Sequence, residues 1–208
     1  MEILPRNVLL ASWINAIRRG QAGFDDLYGA LGGHDRFGEL PVHEVSGAAH
    51  AFFVGHQELL QVGSTAWLLV NHTVWEPSSL RAPEIQTHSI KEASRLLVTT
   101  IDEALALLAP IESASDRGTP HRAQIREALT DLLVKARRVF PDAIWQESTL
   151  IERSLTVLLV SVIAGTDIGG AVTAPEIVLR SREIDRLRSA SLEALILGTQ
   201  AWSVQHIP

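Results

Sequence analysis

The amino-acid sequence predicts an α+β fold that is predominantly helical, with a small β-element in the N-terminal half packed with helices and an antiparallel three-helix segment after it. Three observations lead there. Apolar residues recur at helical spacing over most of the chain. One apolar, β-branched and aromatic run, "AWLLVNHTVW", breaks that spacing. The polar stretch "PIESASDRGTPHR", interrupted by Pro110, Gly118 and Pro120, separates a mixed part, 1–112, from an all-helical part, 119–208. At 208 residues these are two small domains or one continuous domain.

Leu10, Trp13, Ile14 and Ile17 set a first helix, with Arg18 and Arg19 in its last turn and Gly20 as its stop. Phe24, Leu27, Tyr28 and Leu31 set a second, short and amphipathic, with Asp25 and Asp26 near the positive end of its dipole and Gly32–Gly33 as terminator. Residues 34–45 mix Gly, Pro, His and charge and read as a loop with room for one edge strand. Ala51, Val54 and the Leu59–Leu60 pair predict a third helix over 47–61, ended by Gly63. A buried strand follows over 65–72. "WEPSSLRAPEIQTHS" reads as the loop after it, because it carries two prolines and no periodicity.

Ser89 with Glu92 forms a capping-box pattern opening a helix through 98. Beyond it two readings stay open. Thr100 with Glu103 is another capping box and favours helix through "EALALLA", while the apolar run 104–109 also suits a parallel strand completing a β-α-β unit. Thr119 as cap and Pro120 in the first turn start a helix carrying Ile125, Leu129, Leu132, Leu133 and Ala136, ending near Phe140–Pro141. Further helices are predicted over 143–164 and 174–204, the latter with Ile177, Ile184, Leu187 and Leu195 on one face. Short connections predict antiparallel packing.

Between the last two helices, "AGTDIGGAVTAPEI" resembles half of a calcium loop. With Gly170 at position 6, Asp167, Thr173 and Glu176 fall at positions 3, 9 and 12, but positions 1 and 5 are Gly165 and Gly169. A turn accounts for the stretch without metal: Thr173 and Glu176 form a capping box, and Val172 serves as a hydrophobic staple.

The chain has no cysteine, which excludes disulfides, thiolate nucleophiles and iron–sulfur ligation and favours a reducing compartment. The start "MEILPRNVLLASW" lacks the features of a signal peptide, and the longest apolar run, "LTVLLVSVIAG", is shorter than the roughly 20 residues of a membrane span. A cytoplasmic, non-membrane protein is expected. Because 24 acidic residues outnumber 18 Lys+Arg, nucleic acid is not an expected partner. The local signatures of phosphate loops, dinucleotide turns, nucleophile elbows and zinc helices are absent, and no cofactor is expected. Among the histidines, His43, His50 and His56 invite a metal site, yet on a helix His50 and His56 point to different faces, so none is expected.

The candidate ligand site is the central loop. His72, Trp75, Arg81 and His88 follow the carboxyl end of the predicted strand, where a parallel partner would create a ligand crevice. Two imidazoles, an indole face and a guanidinium suit a small planar or anionic molecule. Arg180, Arg182, Arg186 and Arg188, interleaved with Glu176, Glu183 and Asp185, read as a solvated, ion-paired helix face.

"LLASWINAIRRGQAGFDDLYGAL", "LQVGSTAWLLV" and "GGAVTAPEIVLRSREIDRLRSASLEAL" resemble an actinobacterial protein family of unknown function. The resemblance touches most of the chain and rests on pattern more than on rare residues. It implies a strand, a Gly/Pro-rich loop, a helix and a second short strand ending in proline, which here would be 105–109 before Pro110. It carries over no catalytic residue, and the loop "WEPSSLRAP" departs from it in being poor in glycine.

Two functions follow from these readings. The preferred one is a self-associating structural or interaction protein without catalytic activity. It rests on apolarity over more than one side of "SLTVLLVSVIAG" and "LEALILGTQAW", which predicts a homo-oligomer, most simply a twofold dimer, through 143–164 and 174–204. The alternative is a small-molecule binding protein or enzyme using the loop 72–88.

Overall fold

The computed structural model describes residues 4–32, 47–55, 57–71, 74–80, 90–113, 119–166 and 173–204. The chain is α+β and predominantly helical, with a four-stranded antiparallel sheet in the N-terminal half and helices after it. Its contacts form two compact units, each assembled from separate stretches of chain. One is Met1–Thr87, Ala136–Ser148 and Ile196–Pro208; the other is His88–Lys135 and Thr149–Leu195.

In the first unit, α1 (Arg6–Arg18) follows Pro5 and stops where Gly20 turns at φ 68°. Every residue from Asn7 to Ala16 is buried, so this helix is enclosed on all sides rather than along one stripe. α2 (Phe24–Leu31) starts with the Gly23 N–H donating to Asp26 Oδ2 at 2.8 Å and ends at Gly32, φ 89°. Both helices stand where the sequence predicts them.

The helix expected over 47–61 is instead a hairpin, β1 (Ala49–Val54) and β2 (Gln57–Val62), continued by β3 (Thr65–Val70) and β4 (Val74–Ser78) in the order β1-β2-β3-β4. Gly55 (φ 61°) and Gly63 (φ 57°) supply the left-handed backbone that tight hairpin turns need. Leu59 and Leu60 are both buried, so β2 is covered on both faces and its apolar pattern loses the alternation that marks a strand. At Gly47 a Cβ would come within 2.7 Å of Gly63 Cα, so the chain entering β1 touches the β2–β3 turn.

The strand expected over 65–72 is β3, ending at Val70, and both its neighbours run antiparallel. The parallel partner on which a ligand crevice depended is not there. The loop expected from 75 opens as β4, in which Trp75 pairs with Leu69 and Pro77 with Trp67. Proline is tolerated at this position because β4 is an edge strand and its missing N–H breaks no inner ladder. The 34–45 loop lies outside the described residues.

In the second unit, α3 (Ile90–Ser113) runs unbroken through 105–109, where the resemblance implied a strand. Ala93, Leu97, Ala104 and Ile111 are buried at helical spacing, and Thr100 lies inside the helix with its hydroxyl donating to Leu96 O at 2.9 Å. α4 (Thr119–Val139) begins and ends as expected. The single helix expected over 143–164 is two, α5 (Asp142–Glu147), which belongs to the first unit, and α6 (Thr149–Gly165) of the second, separated by Ser148 in extended conformation. α7 (Ala174–Val204) starts from the expected capping box: the Thr173 N–H donates to Glu176 Oε2 at 2.9 Å, and the Glu176 N–H to Thr173 Oγ1 at 3.4 Å. Val172 lies outside the described residues. No helix among the described residues is long and apolar enough to cross a membrane.

Candidate functional site

Of the predicted loop site, His72, Arg81 and His88 lie outside the described residues. Trp75 is inside the sheet, 1% exposed on β4, so its ring is a core element of the first unit. His43 and His56 are also outside the described residues. His50 is on β1 opposite Gln61, not on a helix. Its Nδ1 is buried with no hydrogen-bond partner. Burial first, and the Arg18 charge second, hold its pKa below the usual 6.5. Among the described residues no group of three His, Cys, Asp or Glu side chains is arranged to hold a metal ion.

Sequence reasoning passed over the polar residues of α1, which hold the sheet. The Asn7 Nδ2 amide donates to Phe52 O at 2.9 Å and Leu59 O at 3.2 Å, and Glu58 Oε2 accepts from the Asn7 N–H at 3.0 Å. Asn15 makes a two-point bond with Ala49, donating from Nδ2 to its carbonyl at 2.8 Å and accepting its N–H at 2.9 Å. Gln200 Nε2 donates to Ala51 O at 3.1 Å. Ala49 and Ala51 lie on edge strand β1, so these amides occupy backbone groups that would otherwise be open to a further strand. The signal was legible in principle: two asparagines in the mostly apolar run "NVLLASWIN" require buried partners.

Within the second unit, a hollow of about 480 Å³ is lined by residues that include Ser161, Thr166, Ile177, Arg180, Ile184 and Arg188. Arg180 is buried and its Nη1 donates to Ala164 O at 2.9 Å, placing a cation on the last carbonyls of α6, the negative end of its dipole. Glu183, 2% exposed, accepts from Arg182 Nη2 at 2.9 Å and Arg186 Nη1 at 3.4 Å, and Arg186 also pairs with Glu103 of α3. Its hydrogen bond to Glu103 is the main reason the Arg186 pKa is raised. The arginine run expected to be mostly solvated and ion-paired is ion-paired, and it includes a buried guanidinium and a buried carboxylate. Arg180 acts as a helix cap, and the Glu103–Arg186–Glu183 series ties α7 to α3.

On the C-terminal helices Leu155, Leu158, Leu159 and Leu195 are buried, while Val160, Ile177 and Val178 are exposed. Among the described residues α3 carries four exposed large apolar side chains, more than any other element. At about 100° per residue, its apolar arc from Leu96 round to Val98 spans roughly 200°, interrupted by Ser94, Thr100 and, at the C-terminal end, Glu112. Burial follows only the narrow seam of Ala93, Leu97, Ala104 and Ile111; Leu96, Val98, Leu105 and Leu107 are exposed. Sequence reasoning missed this face because it left 104–109 open between helix and strand. Comparison with protein-family models, curated proteins and solved structures finds no match for this chain.

Proposed function

We propose that the chain works by self-association, as a structural or interaction protein whose contact surface is carried by the second unit. The observation behind this is α3, which keeps Val98 and Leu105 exposed on one flank of its buried seam and Leu96 and Leu107 exposed on the other. Exposed apolar area of this kind gains roughly 25 cal/mol per Å² when a partner covers it. The alternative, small-molecule binding at 72–88, keeps His72, Arg81 and His88 as candidates and loses the buried Trp75 as a stacking surface. Light scattering over a concentration series tests the first reading. Twice the chain mass at micromolar concentration is expected, and a monomer throughout would contradict it.

A further inference from the structure

We propose that α3 pairs antiparallel with α3 of a second copy, about a twofold axis between Thr99 and Thr100, and that Arg95 and Asp102 fix the register. This pairing rests on the self-association reading and adds its partner, direction and alignment.

Beside its buried seam α3 carries a second row, Ser94, Val98, Ile101, Leu105 and Leu108, whose steps alternate between four and three residues. That is the spacing of a coiled-coil seam. No member is buried: Val98 is 42% and Leu105 59% exposed, and the other three are half-buried. Turned antiparallel about the stated axis, the row fits its own copy. Val98 meets Ile101 of the second copy at the centre, and Leu105 meets the small Ser94 on either side. At the ends Leu108 lies against the aliphatic stem of Lys91, whose ammonium can stay in water.

Charge selects the direction. Arg95 and Asp102 each follow a member of the row by one residue, so they flank it on the same edge. Both are exposed, and neither pairs with another described residue. An antiparallel arrangement lays the basic end of this edge along the acidic end of the other copy, giving two symmetry-related Arg95–Asp102 pairs. A parallel arrangement puts this edge of the two copies on opposite sides of the twofold axis, so that Arg95 and Asp102 would not meet each other.

The test uses the full chain and sedimentation velocity. Arg95→Glu and Asp102→Arg each convert two attractive pairs into two repulsive ones and should weaken dimerisation about tenfold or more. Both changes in one chain should restore it, and so should mixing the two single variants, because each then supplies the charge the other lacks. Circular dichroism should show unchanged helix content in all three. A dimer whose affinity ignores these changes, or singles that weaken it without rescue, would overturn the register while leaving self-association standing. A monomeric parent would overturn both.

Discussion

In the unit of Met1–Thr87, Ala136–Ser148 and Ile196–Pro208, the β1 edge is occupied internally: Asn15 and Gln200 take up its backbone groups, and α1 is buried on all sides. In the unit of His88–Lys135 and Thr149–Leu195 the opposite holds, because α3 turns leucines to solvent although α6 beside it is well buried. The same composition thus serves two ends. Amides placed against a strand edge suppress association, and a helix whose apolar arc exceeds its buried seam retains the capacity for it.

That contrast can be strained from its largest effect downward. Trp75→Ala should cost about 3–5 kcal/mol in chemical denaturation, because it empties a buried core position rather than trimming a ligand contact. A loss below about 1 kcal/mol would return Trp75 to the surface. Asn15→Ala leaves the Ala49 N–H and carbonyl without their partner and should cost about 1–3 kcal/mol, with increased aggregation through the uncovered β1 edge. Thr173→Ala removes one half of the α7 capping box and should cost about 1 kcal/mol with or without added calcium.

Solution pH offers a finer probe of the first unit. The His50 pKa is lowered in the folded chain, so the unfolded chain takes up a proton first as pH falls. The melting midpoint should therefore be flat with respect to this group above about 6.5 and decline below it. His50→Gln should remove that part of the decline. An unchanged pH profile in the variant would place the titrating group elsewhere.

How much of this was legible follows from how each segment is covered. α1, α2 and α7 carry helical periodicity with clear stops or caps, and the structure has them where the sequence does. The β1–β2 hairpin was not legible from apolar spacing, since Leu59 and Leu60 are both buried and satisfy a helical pattern as well as a strand buried on both faces. The informative residues were Gly55 and Gly63, eight positions apart, which mark two tight turns. For α3 the choice between helix and strand was decided by the Ala93, Leu97, Ala104 and Ile111 seam, visible only once the helix has a neighbour. Ser148 gave no warning of the break between α5 and α6. The loop site rested on a parallel strand, and an antiparallel meander moved Trp75 into the core while His72, Arg81 and His88 lie outside the described residues.

The most direct measurement is the light-scattering mass of Leu105→Glu beside that of the parent. Leu105 is 59% exposed, so a carboxylate there should leave helix content unchanged by circular dichroism while abolishing association. The expected result is a parent of twice the chain mass and a folded, monomeric variant at the same concentration. A parent that is itself monomeric, or a variant that keeps the parent's mass, would contradict the account of α3 as a surface held open for a second copy.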